Sequence, residues 1–165
     1  MRTLLTFTLM TVLAGSAFAQ TANVQVIHNS PDPIAAEVDV YLNDELRLDD
    51  FAFRTATPFI DVPAGVEIMI GVAPANSQSA GDVIATFPVT FEAHESYVVV
   101  ANGVLDPSSF AANPDGMDIA FNLYPFVGGR EQAESYNVVE ALIFHGATDA
   151  PMVDIYATRD RSTSM

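Results

Sequence analysis

The sequence contains no cysteine. No disulfide can therefore stabilise the fold, no thiol can act as a nucleophile, and no lipid can be attached in the manner of a bacterial lipoprotein. Stability must come from a packed core. Half of the 165 residues are hydrophobic, which is ample for such a core in one domain or in a domain and a fraction.

Lysine is also absent, since all six basic residues are arginine, and they face 21 acidic residues for a net charge of −15. Nucleic acids and anionic lipids are bound through cationic contacts, so the composition predicts no nucleic-acid partner. A dense carboxylate surface suits a high-salt habitat, where self-repulsion is screened. The alternative is that the chain shares the ordinary acidity of many exported bacterial proteins.

Long apolar runs are missing apart from residues 3–15 at the N-terminus. That run is about half of the roughly 20 residues that a membrane-spanning helix needs. Arg2 precedes it, and Ala17-Phe18-Ala19 follows with the small residues that a signal peptidase prefers. We predict a signal peptide over residues 1–19, a mature chain that begins at Gln20, no membrane span, and a periplasmic, cell-surface or extracellular location.

Period-two alternation of apolar and polar residues runs through the mature chain. It is clearest over residues 38–43 and 66–73, and residues 97–100 are continuously apolar, as in a central strand covered on both faces. A strand over 118–123 closes the pattern, while residues 45–50 could form one helical turn. About seven short strands predict an all-β fold, an immunoglobulin-like antiparallel β-sandwich.

One pattern occurs twice, as His-x-x-x-Asp followed by Val-Asp-Val/Ile-Tyr. Its residues are His28, Asp32, Asp39 and Tyr41 in the first copy, and His145, Asp149, Asp154 and Tyr156 in the second. We therefore divide the chain into a sandwich module (20–126), a polar connector (127–137) and an incomplete second copy (138–165) that opens with a strand over 138–144.

The incomplete copy cannot bury a sandwich core with two strands. It could pack on the first module, stay frayed, or be a truncated or incompletely read second module, which is our preferred interpretation. It could also donate an edge strand to another chain, since unpaired edges template pairing. Self-association through these C-terminal strands is therefore one predicted partner interaction.

Three segments carry a resemblance to a known family: HNSPDPIAAEVDVYLND, TATPFIDVPAG and HGATDAPMVDIYA. Together and in this order they resemble the bacterial secreted family called domain of unknown function 4397. The resemblance covers nearly all of the mature chain. It implies an extracellular or cell-surface immunoglobulin-like sandwich, often in tandem copies, with no established activity.

The repeated residues allow two interpretations. Asp and His side chains at the corner after the first strand could hold a cation. Alternatively, Asp32 closes an Asx-type turn, His28 hydrogen-bonds the crossing loop, and Tyr41 covers a sheet face with its hydroxyl in water. We prefer the structural interpretation, because one histidine and one or two carboxylates fall short of a full shell for a hard cation.

Two acidic stretches resemble calcium loops faintly: residues 115–118, and Asn43-Asp44 together with Asp49-Asp50. Neither has the regular Asp-x-Asp spacing with a closing Glu, so solvated turns are the preferred interpretation. No cofactor is predicted, and Ca²⁺ is the one candidate ion.

Catalytic motifs are missing from the sequence: it has no Gly-x-Ser-x-Gly elbow, glycine-rich phosphate loop or zinc-ligand spacing. We therefore predict a non-enzymatic module with a binding or structural role at the cell surface, whose partner would be a protein or a glycan. The alternatives are a secreted carboxylate-dependent hydrolase and a Ca²⁺-stabilised adhesive module.

Overall fold

The computed structural model describes residues 20–157, so the predicted signal peptide and residues 158–165 lie outside the described part. The eight strands are β1 (Thr21–His28), β2 (Glu37–Leu42), β3 (Glu45–Ala52), β4 (Ile60–Pro63), β5 (Glu67–Pro74), β6 (Ala85–Thr90), β7 (Ser96–Asn102) and β8 (Asn122–Val127). They form two four-stranded sheets, which confirms the predicted all-β sandwich. The described residues contain no helix long and apolar enough to cross a membrane.

The first sheet has the order β4-β1-β7-β8 and the second has the order β3-β2-β5-β6. All pairings are antiparallel except that of β1 with β7, which runs in parallel from Asn23↔Ser96 to His28↔Ala101. In a constant-type immunoglobulin domain the first strand lies at a sheet edge. Here β1 is central, so residues at its end are surrounded by other elements.

Alternating side chains from both sheets form the core. Val38 and Val40 on β2 point inward with Ile68, Ile70 and Val72 on β5. Tyr97 and Val99 of β7 meet them from the other sheet, and β7 is buried along almost its whole length, as its continuous apolar run predicted. The most C-terminal residue packed against this core is Leu123, so the sandwich completes its core before the connector begins.

Two local predictions differ from the structure. Residues 45–52 form strand β3 rather than a helical turn, because Asn43 and Asp44 both adopt positive φ (47° and 68°). Two such residues form the tight turn that joins the strands of a hairpin. The last strand lies over Asn122–Val127 rather than 118–123, since residues 119–121 bind Val104 through an isolated bridge and two backbone hydrogen bonds.

The strand predicted over residues 138–144 is not formed, and the described residues after Val127 contain no strand. The hydrogen bonds of a β-ladder lie in the plane of the sheet. Residues 144–152, which we call the tail, instead lie on the outer face of the first sheet, where in-plane bonds are out of reach. The division into module, connector and second copy stays a prediction.

Candidate functional site

The first half of the repeated motif lies at the end of β1, buried inside the fold. His28 is 1% exposed, and its ring lies 5.7 Å from the Phe51 ring, centroid to centroid. Its Nε2 lies 2.8 Å from the carbonyl oxygen of Ala35, while Nδ1 faces the backbone N–H of Ser30 at 3.4 Å. These partners fit a neutral ring that donates from Nε2 and accepts at Nδ1. Burial lowers the pKa of His28, and the Ala35 hydrogen bond opposes the shift only in part.

Asp32 ties three segments together at the same corner. Its Oδ1 accepts the N–H of Ile34 at 3.0 Å, which caps the short 3₁₀ helix Pro33–Ala35. Its Oδ2 accepts the N–H of Leu105 at 2.8 Å, 73 residues away. The carboxylate is buried and both of its oxygens are hydrogen-bonded. This geometry is that of an Asx turn with an added long-range bond.

Asp39 and Tyr41 lie elsewhere, on the outer face of the second sheet. Asp39 accepts the N–H of Asp50 at 3.0 Å and the hydroxyl of Ser77, and that hydroxyl also lies 2.8 Å from the Tyr41 hydroxyl. Tyr41 is only 5% exposed, so the prediction that its hydroxyl lies in water is wrong. The reason is that the loop after β5 folds over this face and supplies Ser77. The repeated residues of the first copy thus form two separate clusters.

One group of carboxylates could approach a cation. Oxygens of Asp39, Asp49 and Asp50 lie within 4.8 Å of one another, with Asp49 and Asp50 exposed. Both oxygens of Asp39 are already hydrogen-bonded, and a hard cation such as Ca²⁺ takes six to eight oxygen ligands. Asn43, which the faint resemblance to a calcium loop included, accepts the N–H of Met69 with its side-chain oxygen at 2.9 Å.

The acidic stretch 115–118 does not collect carboxylates either. Asp115 accepts the N–H of Met152 from the tail, and Asp118 accepts the N–H of Ala120 at 2.9 Å. These two side chains therefore serve as backbone acceptors in different directions. Both bonds organise the chain locally.

The second copy of the motif is exposed throughout: His145, Asp149, Asp154 and Tyr156 all lie on the surface. His145 Nε2 lies 3.1 Å from the carbonyl oxygen of Pro151, six residues further on, whereas His28 Nε2 lies 2.8 Å from that of Ala35, seven residues further on. Each histidine thus contacts a carbonyl oxygen of the loop that follows it, but at positions that are not equivalent, and only the first copy is buried.

In the described part of the chain the repeated residues do not converge on one cavity: His28 borders a void in the core, whereas His145 and Asp149 border two separate surface hollows. A void of about 50 Å³ lies inside the core, and its lining is almost entirely apolar. Pockets for small organic ligands measure roughly 300–1,000 Å³. Three larger hollows of about 450, 340 and 360 Å³ lie on the surface, each bordered in part by residues 128–153.

Every buried side-chain nitrogen or oxygen in the described residues has a hydrogen-bond partner. Sequence reasoning located the corner but missed Gly103, whose carbonyl oxygen accepts the Ser30 hydroxyl there, and it missed Ser77 at the separate cluster of Asp39 and Tyr41. Serines and glycines are common in loops, so the sequence offers no signal that would single these out.

The family model described as a domain of unknown function, DUF4397, matches residues 22–117. A search of curated proteins finds no significant match to the chain.

Proposed function

Since the chain belongs to the DUF4397 family, we propose that it is an exported, non-enzymatic β-sandwich module with a binding or structural role at the cell surface. The observation that carries this proposal is the burial of the polar residues in the first copy of the repeated motif. His28, Asp32 and Asp39 are buried, and their side chains are engaged by other groups of the protein. A catalytic acid or base must be within reach of a substrate, and these groups are not.

Export is supported by the position of the first strand. β1 begins at Thr21, one residue after the predicted start of the mature chain at Gln20. Cleavage after Ala19 would therefore leave every strand intact. Residues 1–19 add the positive start, apolar run and small-residue site of a secretory signal.

Expression of the full chain in a bacterial host tests the export half of the proposal. We expect to find the protein outside the cytoplasm, and mass spectrometry of the exported chain should show that its first residue is Gln20. The variant Ala19→Arg, which blocks the cleavage site, should retain the first 19 residues. Cytoplasmic accumulation of the unaltered chain would contradict the proposal.

Incubation of the exported protein with arrays of glycans and surface proteins tests the non-enzymatic half. We expect retention on a subset of the array without any change in the mass of the retained molecule. The competing activity is carboxylate-dependent hydrolysis, and the clustered carboxylates offer a direct control. Cleavage that disappears in the variant Asp49→Asn/Asp50→Asn, whose exposed changes spare the core, would establish the hydrolase instead.

A further inference from the structure

The outer face of the first sheet is unusually apolar for a surface. Val98 and Val100 on β7 point away from the core, next to Tyr124 and Phe126 on β8. Val100 is nevertheless only 3% exposed. The tail and the residues just after β8 cover this face, which explains why β7 is apolar on both sides.

Phe144 anchors the tail on this face. Its ring lies 5.5 Å from the Tyr124 ring and 5.8 Å from the Phe126 ring, in tilted and edge-on arrangements that aromatic pairs favour. Two residues later the chain comes closer still. A Cβ atom at Gly146 would lie 2.6 Å from the Asn29 amide nitrogen and 2.7 Å from the Asn102 side-chain oxygen, so any larger residue there would have to displace the side chains that hold the tail.

Side chains of the sandwich hold the backbone of the tail. The Asn102 amide donates to the carbonyl oxygen of Gly146 at 3.0 Å, and Asn102 is itself 7% exposed and oriented by a 2.8 Å bond from Asn29. The Asn113 amide donates to the carbonyl oxygens of Thr148 and Ala150 at 3.1 and 2.9 Å. The sandwich therefore binds the tail as it would bind an extended peptide.

The side of the tail that makes these contacts is informative. Half-buried residues alternate with exposed ones: Phe144, Gly146, Thr148 and Ala150 face the sheet. In the first copy the equivalents of Phe144 and Gly146 are Ile27 and Asn29. Neither belongs to the sandwich core, whereas their neighbour His28 is buried in it. The tail thus binds the sheet while its own motif residues, His145 and Asp149, stay exposed. Their counterparts in the first copy, His28 and Asp32, are buried.

The connector does not dictate which sandwich the tail must occupy. Residues 130–140, which cover most of the connector and the first residues of the second copy, are exposed, and Arg130 pairs with Glu134 at 2.8 Å and with Glu140 at 2.9 Å inside this same stretch. Exchange of an identical segment between two copies preserves every contact at the binding face, which makes it a low-cost route to association. Attachment in cis favours the monomer at low concentration, because it raises the local concentration of the tail.

We infer that the outer face of the β4-β1-β7-β8 sheet is a groove for an extended Phe-x-Gly segment, and that a second copy of this chain supplies that segment in trans when the groove's own tail is displaced. This inference rests on the proposed function, for which it names a partner. It replaces the predicted pairing of C-terminal strands with capture of an extended segment by side chains.

Two full-chain variants with complementary defects test the inference. In the groove variant, Asn102→Asp/Asn113→Asp, carboxylates replace the amides that donate to the tail, while the bonds that their Oδ1 atoms accept from Asn29 and Asp115 remain available. In the tail variant, Gly146→Val, the groove is intact but the tail cannot approach it. Sedimentation velocity of each variant should give a monomer, and an equimolar mixture should give a heterodimer.

The matched control is Ala147→Val, which places valine, as in the tail variant, at the neighbouring and exposed position. Its own tail should still fill its groove, so its mixture with the groove variant should stay monomeric. A mixture of groove and tail variants that stays monomeric at high concentration would overturn the exchange. Equal hydrogen-exchange protection of residues 144–152 in the groove variant and the unaltered chain would overturn the groove itself.

A synthetic peptide of residues 141–153 keeps the test decisive if one variant folds poorly. It should bind the tail variant, and its affinity for a chain that combines Gly146→Val with the groove changes should fall by about tenfold or more, because three hydrogen bonds are lost. The same peptide with valine in place of Gly146 should not bind. Absence of peptide binding contradicts this inference and leaves the tests of export and catalysis unaffected.

Discussion

At the residue scale, His28 is the clearest example of a polar group used for folding. Its neutral ring donates to Ala35 and accepts from Ser30, and aromatic rings of Phe51 and Phe53 lie beside it. A proton on Nδ1 would point at an N–H that is itself a donor. Burial and this geometry both disfavour the charged form, so the folded chain resists protonation at His28.

The lowered pKa of His28 has a consequence for stability. In the unfolded chain the ring takes up a proton near pH 6.5, whereas the folded chain takes it up only at lower pH. Stability is therefore full above about pH 6.5 and falls as the pH drops toward the folded pKa, with a slope of at most about 1.4 kcal/mol per pH unit for one proton. Urea unfolding between pH 8 and pH 5 should show this slope. The dependence of the free energy of unfolding on pH should become weaker in His28→Gln and should remain in His145→Gln, which changes the exposed counterpart. Equal slopes in the two variants would contradict the assignment of the pH dependence to His28.

The sequence predicted the Asx turn at Asp32 because that bond is local, reaching two residues ahead. It could not predict that the second oxygen of Asp32 binds Leu105, because a contact across 73 residues depends on how the sheets pack. The same limit explains Tyr41. Its place on an outward face follows from alternation, but the loop that carries Ser77 over it does not.

At the element scale, the long segment between β7 and β8 is fixed by one close approach of two backbones. Gly103 adopts φ +97°, and a Cβ there would lie 2.6 Å from the Ala120 carbonyl carbon. Val104 exchanges backbone hydrogen bonds with Ile119 and Phe121 on the same stretch. The glycine after Asn102 thus allows residues 103–104 to lie directly beside residues 119–121.

Two alanine substitutions separate this close approach from backbone conformation alone. Gly116 also has positive φ (+71°) but has open space around it, so Gly116→Ala should cost about 1 kcal/mol from strain. Gly103→Ala adds a clash with backbone atoms and should cost about 2 kcal/mol or more. Unfolding in guanidinium measures the free energy of unfolding of both variants. Similar losses in the two would show that the backbone of residues 119–120 moves aside at little cost.

Alternation predicted the strands whose core-facing residues are regularly apolar, such as β2 and β5, because period two is a direct consequence of a pleated sheet. It failed for β3 and β8. Strand β3 pairs with β2 through shifts in register, and β8 is an edge strand with a proline, so neither keeps a regular apolar face. Residues 138–144 resembled a strand by composition, but whether a strand forms depends on pairing with the free edge of a sheet.

At the scale of the whole molecule, charge is the largest imbalance. Against a net charge of −15, the described residues contain three ion pairs, Arg47–Glu45, Arg130–Glu134 and Arg130–Glu140, all on the surface. Exposed pairs contribute little to stability. Most carboxylates are therefore unneutralised by neighbours, and their mutual repulsion acts against the compact state.

Salt should therefore stabilise this protein. The Debye screening length falls from about 10 Å at 0.1 M to about 3 Å at 1 M ionic strength. Because repulsive carboxylate pairs outnumber the three attractive surface pairs, the loss of repulsion outweighs the loss of attraction. We expect the Tm to rise by several degrees between 0.05 and 1 M NaCl, and Asp49→Asn/Asp50→Asn to raise the Tm at low salt and reduce the salt dependence. Calorimetry at equal ionic strength in CaCl₂ is the control: a matching rise indicates screening, whereas a much larger rise would place Ca²⁺ at Asp39, Asp49 and Asp50. A Tm that falls with NaCl would show that attractive pairs outweigh the repulsion.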